Sequence, residues 1–194
     1  MRAGAQQKLS ECAPLYAAVG RPRVIVEIGP GSGGTLAGFA RIAAEDAVLI
    51  SVDDPAGAFG GGTSPDEVRR NAQPRDGQTL HQVLGDSKSE DVLAEVRRLL
   101  PGPADVLFID GDHTYAGVKA DYLNYRELVR PGGLIGFHDI LPHPGVADCE
   151  VDRLWAEIGG RKREIVSPQE TRSDLGGTWG GIGIVRAYDN RSAA

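Results

Sequence analysis

Five short apolar runs alternate with helical patterns along the first three quarters of the chain, and this alternation limits the fold more than any other feature. The runs are Val24–Ile28, Val48–Val52, Leu80–Leu84, Val106–Ile109 and Leu134–Phe137. Most are rich in β-branched residues, and each runs into Gly, Asp or His at its end, as buried strands run into polar or turn residues. Between them apolar residues recur every three or four positions. Leu36, Phe39, Ala40 and Ala43 do so within 34–44; Val92, Leu93, Val96, Leu99 and Leu100 do so later; and Tyr115, Val118, Tyr122, Tyr125 and Val129 form a third series. That spacing marks helices burying one face. Ser64-Pro65-Asp66-Glu67 opens a further helix, with Ser64 as cap and Glu67 completing a capping box, and Ser89 caps another. Pro101-Gly102-Pro103 and Pro131-Gly132-Gly133 read as helix stops. Strands joined through helices by short links run parallel and are covered on both faces.

After Pro144 the rhythm changes. Val151, Leu154, Trp155 and Ile158 mark one more helix, and Arg163–Val166 and Gly181–Val185 read as two strands with only a loop between them, hence antiparallel. At the other end Leu9, Cys12, Leu15, Tyr16 and Val19 predict an amphipathic helix over 5–19, ended by Gly20 and Pro22. The chain thus divides into a leading helix (1–22), one domain (23–188) and a short tail (189–194). A chain of 194 residues suits a single domain with a sizeable core.

Charge and cysteine content narrow the class. The net charge is −6, which speaks against a nucleic-acid surface. Cys12 and Cys149 lie in no CxxC or Cys/His spacing, so neither a disulfide framework nor a structural zinc site is expected, and a reducing, cytoplasmic setting fits. The sequence has no membrane-length apolar run, and MRAGAQQKLSE lacks the apolar core of a signal peptide.

The stretch VIVEIGPGSGG, Val24–Gly34, joins the first strand to its helix through a glycine turn. Gly29, Gly31 and Gly33 let the main chain turn tightly and approach a nucleotide, with the helix N-terminus beyond. NAD, FAD and S-adenosylmethionine all fit such a turn. The other strand ends fall on the same edge of a parallel sheet and carry Asp53, Asp86-Ser87, Asp110–His113 and His138-Asp139. Asp53, about twenty residues past the turn, stands where a carboxylate takes ribose hydroxyls. Asp86 and Ser87 are placed to meet an adenine, or to cap a helix. The fourth and fifth strands, joined by one helix, should be neighbours, so Asp110, His138 and Asp139 should meet. A divalent metal would compensate such a cluster, as would a hydrogen-bonded network without one. His113 and His138 are candidate general bases. His81 and His143 read as structural or solvated, and Trp179 as lining a pocket or covering the last strand. The loop PAGAFGGGT, 55–63, is a connector or a lid.

These residues resemble a known family. EIGPGSGG, with its acidic residue on the strand, resembles the first motif of class I S-adenosylmethionine-dependent methyltransferases, and LVRPGG their lead-in to the fifth strand. FIDGDHTYAGVKADY, RPGGLIGFHDI, the final GGIGIV and the loop DDPAGAFGGG together resemble a small-domain group related to cephalosporin hydroxylase-type and macrolide-sugar O-methyltransferase proteins. The resemblance implies a Rossmann-like, doubly wound, mostly parallel sheet of about seven strands, the last one or two antiparallel, with helices on both faces. It implies S-adenosyl-L-methionine as cofactor, with Glu27, Gly29, Gly31, Gly33, Asp53, Asp86, Ser87 and Asp110 in its site. It implies methyl transfer to a hydroxyl oxygen of a small molecule or sugar, with His113 or His138 as base. In metal-dependent relatives the aspartate after the fourth strand and an acidic pair after the fifth hold magnesium. Asp110 and Asp139 match that pattern and His138 departs from it, imidazole suiting zinc, manganese or iron better than magnesium. Little sequence lies outside the core to recognise the acceptor, which leaves a role for a second subunit, as a homo-oligomer, in closing the pocket. The rival readings are a cofactor-binding protein without catalysis, alone or associated with a hydroxylase, and an NAD-dependent oxidoreductase.

Overall fold

The computed structural model describes residues 9–57, 64–143, 145–167 and 179–187. A seven-stranded sheet runs through it. The strands are β1 (Val24–Ile28), β2 (Val48–Asp53), β3 (Thr79–Leu84), β4 (Ala104–Ile109), β5 (Val129–His138), β6 (Lys162–Ile165) and β7 (Ile182–Arg186). Their order is β3-β2-β1-β4-β5-β7-β6. β1 to β5 are parallel, and β7 lies antiparallel between β5 and β6. The chain leaves β1 outward through β2 and β3, then returns to the other side of β1 for β4. That reversal opens a crevice at the carboxyl ends of β1 and β4, where ligands of open α/β sheets bind.

The helices are α1 (Leu9–Val19), α2 (Gly34–Ile42), α3 (Pro65–Ala72), α4 (Glu90–Leu99), α5 (Tyr115–Tyr125) and α6 (Val151–Glu157). Alternate residues of each strand point to opposite faces and so build two cores. Val26, Ile28, Leu107, Ile109 and Phe137 meet Val96 of α4, Tyr125 of α5 and Trp155 of α6. Ile25, Leu49, Phe108 and Leu134 meet Leu15 of α1, Phe39 of α2 and Val68 of α3. The leading helix is therefore part of the second core; Tyr16 stacks edge-on to Phe39 at 5.3 Å and donates to the Thr35 carbonyl. The segment 1–8 of the expected leading helix lies outside the described residues.

Ser64 and Ser89 cap α3 and α4, each accepting from the backbone N–H three residues on. β6, β7 and the end of α2 lie within one or two residues of the sequence reading; the large difference is between α5 and β5. Val129 belongs to β5 and not to α5, which ends at Tyr125 and passes through a 3-10 turn. Pro131-Gly132-Gly133 does not stop a helix but lies inside β5. Ala104 pairs with Val129 and Val106 with Leu134, so the intervening residues bulge out of register. The bulge is held by bonds to the end of β7: Gly132 N–H donates to the Ala187 carbonyl and Ala187 N–H to that of Gly133, both at 2.9 Å. A bulge bends a strand without ending it, which hides the strand from a pattern reading. No helix among the described residues is long and apolar enough to cross a membrane.

Candidate active site

The glycine turn forms the floor of the crevice. Gly29, Gly31 and Gly33 all have positive φ, at 72°, 49° and 86°. They are not equivalent. A Cβ on Gly29 would overlap the carbonyl of Asp110, and one on Gly33 would lie 2.8 Å from the carbonyl of Val68. A Cβ on Gly31 would meet nothing within 4 Å. Gly29 and Gly33 are thus packed against neighbouring turns, and Gly31 faces open space. Asp110 N–H donates to the Ile28 carbonyl at 2.9 Å, which ties the end of β4 to the end of β1.

Glu27 is buried in the centre of the sheet, level with Ser51 of β2 and Phe108 of β4. Burial, then the nearby Asp110 and Asp53, push its carboxyl well above the ordinary range. Its Oε2 is buried with no hydrogen-bond partner among the described residues. Asp53 ends β2 and is half-buried; burial first, then Asp54, raise its carboxyl. Asp86 is exposed, and Lys88 spans from its Oδ1 at 3.0 Å to Asp112 Oδ2 at 3.1 Å. Ser87 is buried and donates to Asp121 Oδ1 at 2.6 Å.

The ends of β4 and β5 do meet. Asp110 Oδ1 lies 3.2 Å from His113 Nε2 and 3.1 Å from His138 Nδ1. Asp139 Oδ2 lies 3.3 Å from Nδ1 of both histidines. Burial works against ionising Asp110, but the charge of His138 and hydrogen bonds from both imidazoles outweigh it and hold the carboxyl down at about 2. Burial likewise works against charging His113, and its bonds to Asp110 and Cys149 outweigh that and raise it to about 10. His138, fully enclosed, is raised well above its ordinary value by Asp110 and Asp139. Both imidazoles are therefore biased towards their protonated forms. Asp139 has φ 58°, a left-handed conformation rare outside glycine. Its Oδ1 and His138 Nε2 are buried without hydrogen-bond partners among the described residues. Asp110, His138 and Asp139 bring possible ligand atoms within 4.8 Å of one another, as do His113, Asp139 and Cys149.

Sequence reasoning missed three contributors. Tyr125 on α5 reads only as part of the apolar series and Asp121 is not singled out, yet both bond to Ser87. Glu11 on α1 lies outside the apolar series that predicts the helix, yet it is buried and accepts from Ser167 N–H at 3.4 Å. A Cβ on Gly180 would lie 3.8 Å from Glu11 Oε2, His138 Nε2 and Asp139 Oδ1 alike. No local pattern announces these contacts, because each partner comes from a different element. His81 is half-buried on β3, away from the cluster; His143 packs against Trp179 with ring centres 5.5 Å apart. Of the two glycine-containing loops, 58–63 and 168–178 lie outside the described residues.

Comparison with known proteins gives the family and the fold. A methyltransferase domain family model matches residues 26–140. No curated protein sequence is significantly similar to the chain. Among solved structures, the O-methyltransferase of Bacillus cereus in complex with S-adenosylhomocysteine is similar with a TM-score of 0.65 and 21% identity, covering 95% of this chain and 84% of that one. The O-methyltransferase TomG of Streptomyces achromogenes, involved in tomaymycin synthesis and bound to S-adenosylmethionine, gives 0.64 and 17%, covering 93% and 79%. The N-methyltransferase NodS of Bradyrhizobium japonicum gives 0.60 and 11%, covering 93% and 94%. These likenesses establish the Rossmann-like methyltransferase fold. The family match spans the glycine turn and all five parallel strands and decides against an NAD-dependent oxidoreductase: the chain belongs to the methyltransferase domain family.

Proposed function

We propose that the protein transfers a methyl group from S-adenosyl-L-methionine to a hydroxyl oxygen of a small molecule or sugar. The observation that carries this reading is the contact of Gly29 with Asp110, which sets the glycine turn directly beside the carboxylate–imidazole cluster. Two similar structures are O-methyltransferases with the cofactor or its product bound, which supports it. The residues fit the cofactor. Gly31 leaves open space along the turn, Glu27 has a buried carboxyl oxygen without a protein partner among the described residues, and Asp53 ends the neighbouring strand. When bound, the cofactor supplies a methyl group activated by a sulfonium, which leaves as a neutral thioether.

The protein then has to hold the cofactor, orient the acceptor and move one proton. Gly29, Gly31 and Gly33 would hold the methionine part, with Glu27 and Asp110 beside it. Asp53 would accept from the ribose hydroxyls, and Asp86 and Ser87 would meet the adenine. His113 and His138 are the groups placed to take the acceptor's proton. Each is held protonated by its carboxylates, so either acts as base only once a carboxylate partner is engaged elsewhere. Asp110, His138 and Asp139 fit a divalent cation such as magnesium, manganese or zinc, which when bound would acidify an acceptor hydroxyl. The acceptor would lie over this edge, covered by the 141–150 loop and Trp179-Gly180. Both cysteines are free and buried, which supports a reducing, cytoplasmic setting.

Titration calorimetry with S-adenosylhomocysteine and with NAD tests the cofactor: binding of the former alone is expected, and binding of NAD alone overturns the reading. Labelled S-adenosylmethionine offered with panels of hydroxyl and amine acceptors tests the transfer. Label appearing only on amines would replace oxygen as the target, and cofactor binding with no transfer to any acceptor would favour the non-catalytic reading. Full activity of Asp110→Ala in metal-free buffer would remove both the cation and the acid cluster from the mechanism.

A further inference from the structure

Cys149 has no role in the methyl-transfer reading, yet it is buried against the same cluster. Its loop is fastened there by the backbone. Cys149 N–H donates to the Val146 carbonyl at 3.1 Å, and Glu150 N–H donates to the His113 carbonyl at 2.8 Å. The Glu150 carboxylate accepts from Tyr115 N–H at 3.1 Å. These bonds press the loop after β5 onto the turn after β4 and hold Cys149 Sγ 3.9 Å from His113 Nδ1. Asp139 Oδ2 lies 3.3 Å from the same nitrogen. A nitrogen, an oxygen and a sulfur donor thus converge from three separate segments.

We propose that His113 Nδ1, Asp139 Oδ2 and Cys149 Sγ form a site for a thiophilic divalent cation, zinc by preference. Zinc bonds nitrogen and oxygen at about 2.0–2.1 Å and sulfur at about 2.3 Å, so tetrahedral donors stand about 3.3–3.6 Å apart. The observed 3.3 and 3.9 Å differ from those edges by a few tenths of an ångström. The other ring nitrogen supplies a second, independent sign. A metal-bound histidine commonly gives its remaining N–H to a carboxylate, which fixes the tautomer and the ring plane. His113 Nε2 faces Asp110 Oδ1 at 3.2 Å in that way. Three protein donors leave one tetrahedral position for water or an acceptor oxygen, the pattern of reactive rather than purely structural zinc. The sulfur distinguishes this set from Asp110, His138 and Asp139, whose oxygen-rich donors suit a harder ion. Asp139 belongs to both, so the identity of the metal decides which set is used.

The test uses the full chain, stripped with a chelator and titrated with cobalt(II) and zinc(II). Cobalt should give a thiolate-to-metal charge-transfer band in the near ultraviolet, and zinc should abolish it by displacement. Cys149→Ser should remove the band and weaken zinc binding at least about tenfold, while Cys12→Ser and His138→Gln keep it. Thermal unfolding shows whether Cys149→Ser is folded. Where it is not, protection of Cys149 from alkylation by zinc in the unaltered protein, read by mass spectrometry, reports the same contact. Absence of the band together with unchanged alkylation, or a band that survives Cys149→Ser, overturns the site. The inference does not rest on methyl transfer: S-adenosylhomocysteine binding is measured separately, and its failure would overturn that reading and leave this one standing.

Discussion

The Ser87 hydroxyl donates to Asp121 Oδ1 at 2.6 Å, binding the turn after β3 to the middle of α5. One helical turn on, Tyr125 donates its hydroxyl to the Ser87 carbonyl at 3.0 Å. Asp121 and Tyr125 share a face of α5, so a single helix grips both ends of one residue. Ser87 spends its proton inward, which leaves its oxygen lone pairs for a donor on a ligand. Asp121→Ala should therefore weaken S-adenosylhomocysteine binding about fivefold, the equivalent of about 1 kcal/mol for one hydrogen bond. Asp121→Asn keeps an acceptor for Ser87 and should restore most of it. Calorimetry on the three proteins decides; equal affinities would show that Ser87 is not part of the cofactor site.

The glycines of the first turn should separate under substitution. Gly29→Ala would drive a methyl into the Asp110 carbonyl and should prevent folding or cost more than about 3 kcal/mol. Gly31→Ala meets no neighbour and bears only the left-handed backbone penalty, about 1 kcal/mol. It should fold and still lose cofactor binding, because on the proposed reading the added methyl would occupy the space left for the cofactor. Thermal unfolding paired with calorimetry reads both effects, and a Gly31→Ala protein with full affinity would move the cofactor off this turn.

Asp53→Ala removes the carboxylate that the proposed function assigns to the two ribose hydroxyls. A hydrogen bond to a charged group is worth about 1.5–3 kcal/mol, so KM for S-adenosylmethionine should rise about tenfold to about a hundredfold. A binding group of this kind leaves kcat nearly unchanged. A fall in kcat at constant KM would place Asp53 in a different role.

The buried ion pairs set the pH range of stability. His113 is raised from 6.5 to about 10, so its contribution is complete below 6.5 and is lost as pH rises through 10. Asp110 is lowered from 3.8 to about 2, so its contribution is complete above 3.8 and is lost as pH falls through 2. The metal-free protein should have its highest thermal midpoint between those limits and weaken steadily on the alkaline side. NMR should find the His113 ring still charged well above pH 6.5, its ordinary value. Titration at that value would show the Asp110–His113 pair to be open in solution.

Much of the fold is legible in the sequence because strand ends advertise themselves. Asp53, Asp86, Asp110 and His138 each close an apolar run, and a parallel sheet brings such ends to one edge. The β4–β5 neighbourhood, and with it the meeting of Asp110, His138 and Asp139, follows from one connecting helix. What stays hidden depends on geometry across elements. Pro131-Gly132-Gly133 has the composition of a stop, and only its bonds to Ala187 reveal a bulge. Glu11 carries a charge on a helix surface in any sequence reading, and its burial depends on where β6 and the segment around Ser167 pass. Asp121 and Cys149 find their partners through the angle of α5 and the path of the 145–150 loop.

The fit of Gly29 against the Asp110 carbonyl also bears on how such an enzyme changes. No side chain separates the two turns, so the distance between them is a main-chain constant and is not adjustable by substitution. In a methyltransferase that distance governs how the donor is presented to the acceptor. On the proposed reading, diversity of acceptors comes from exchanging what lies over this edge, such as Trp179-Gly180, while the alignment of the transfer is inherited intact.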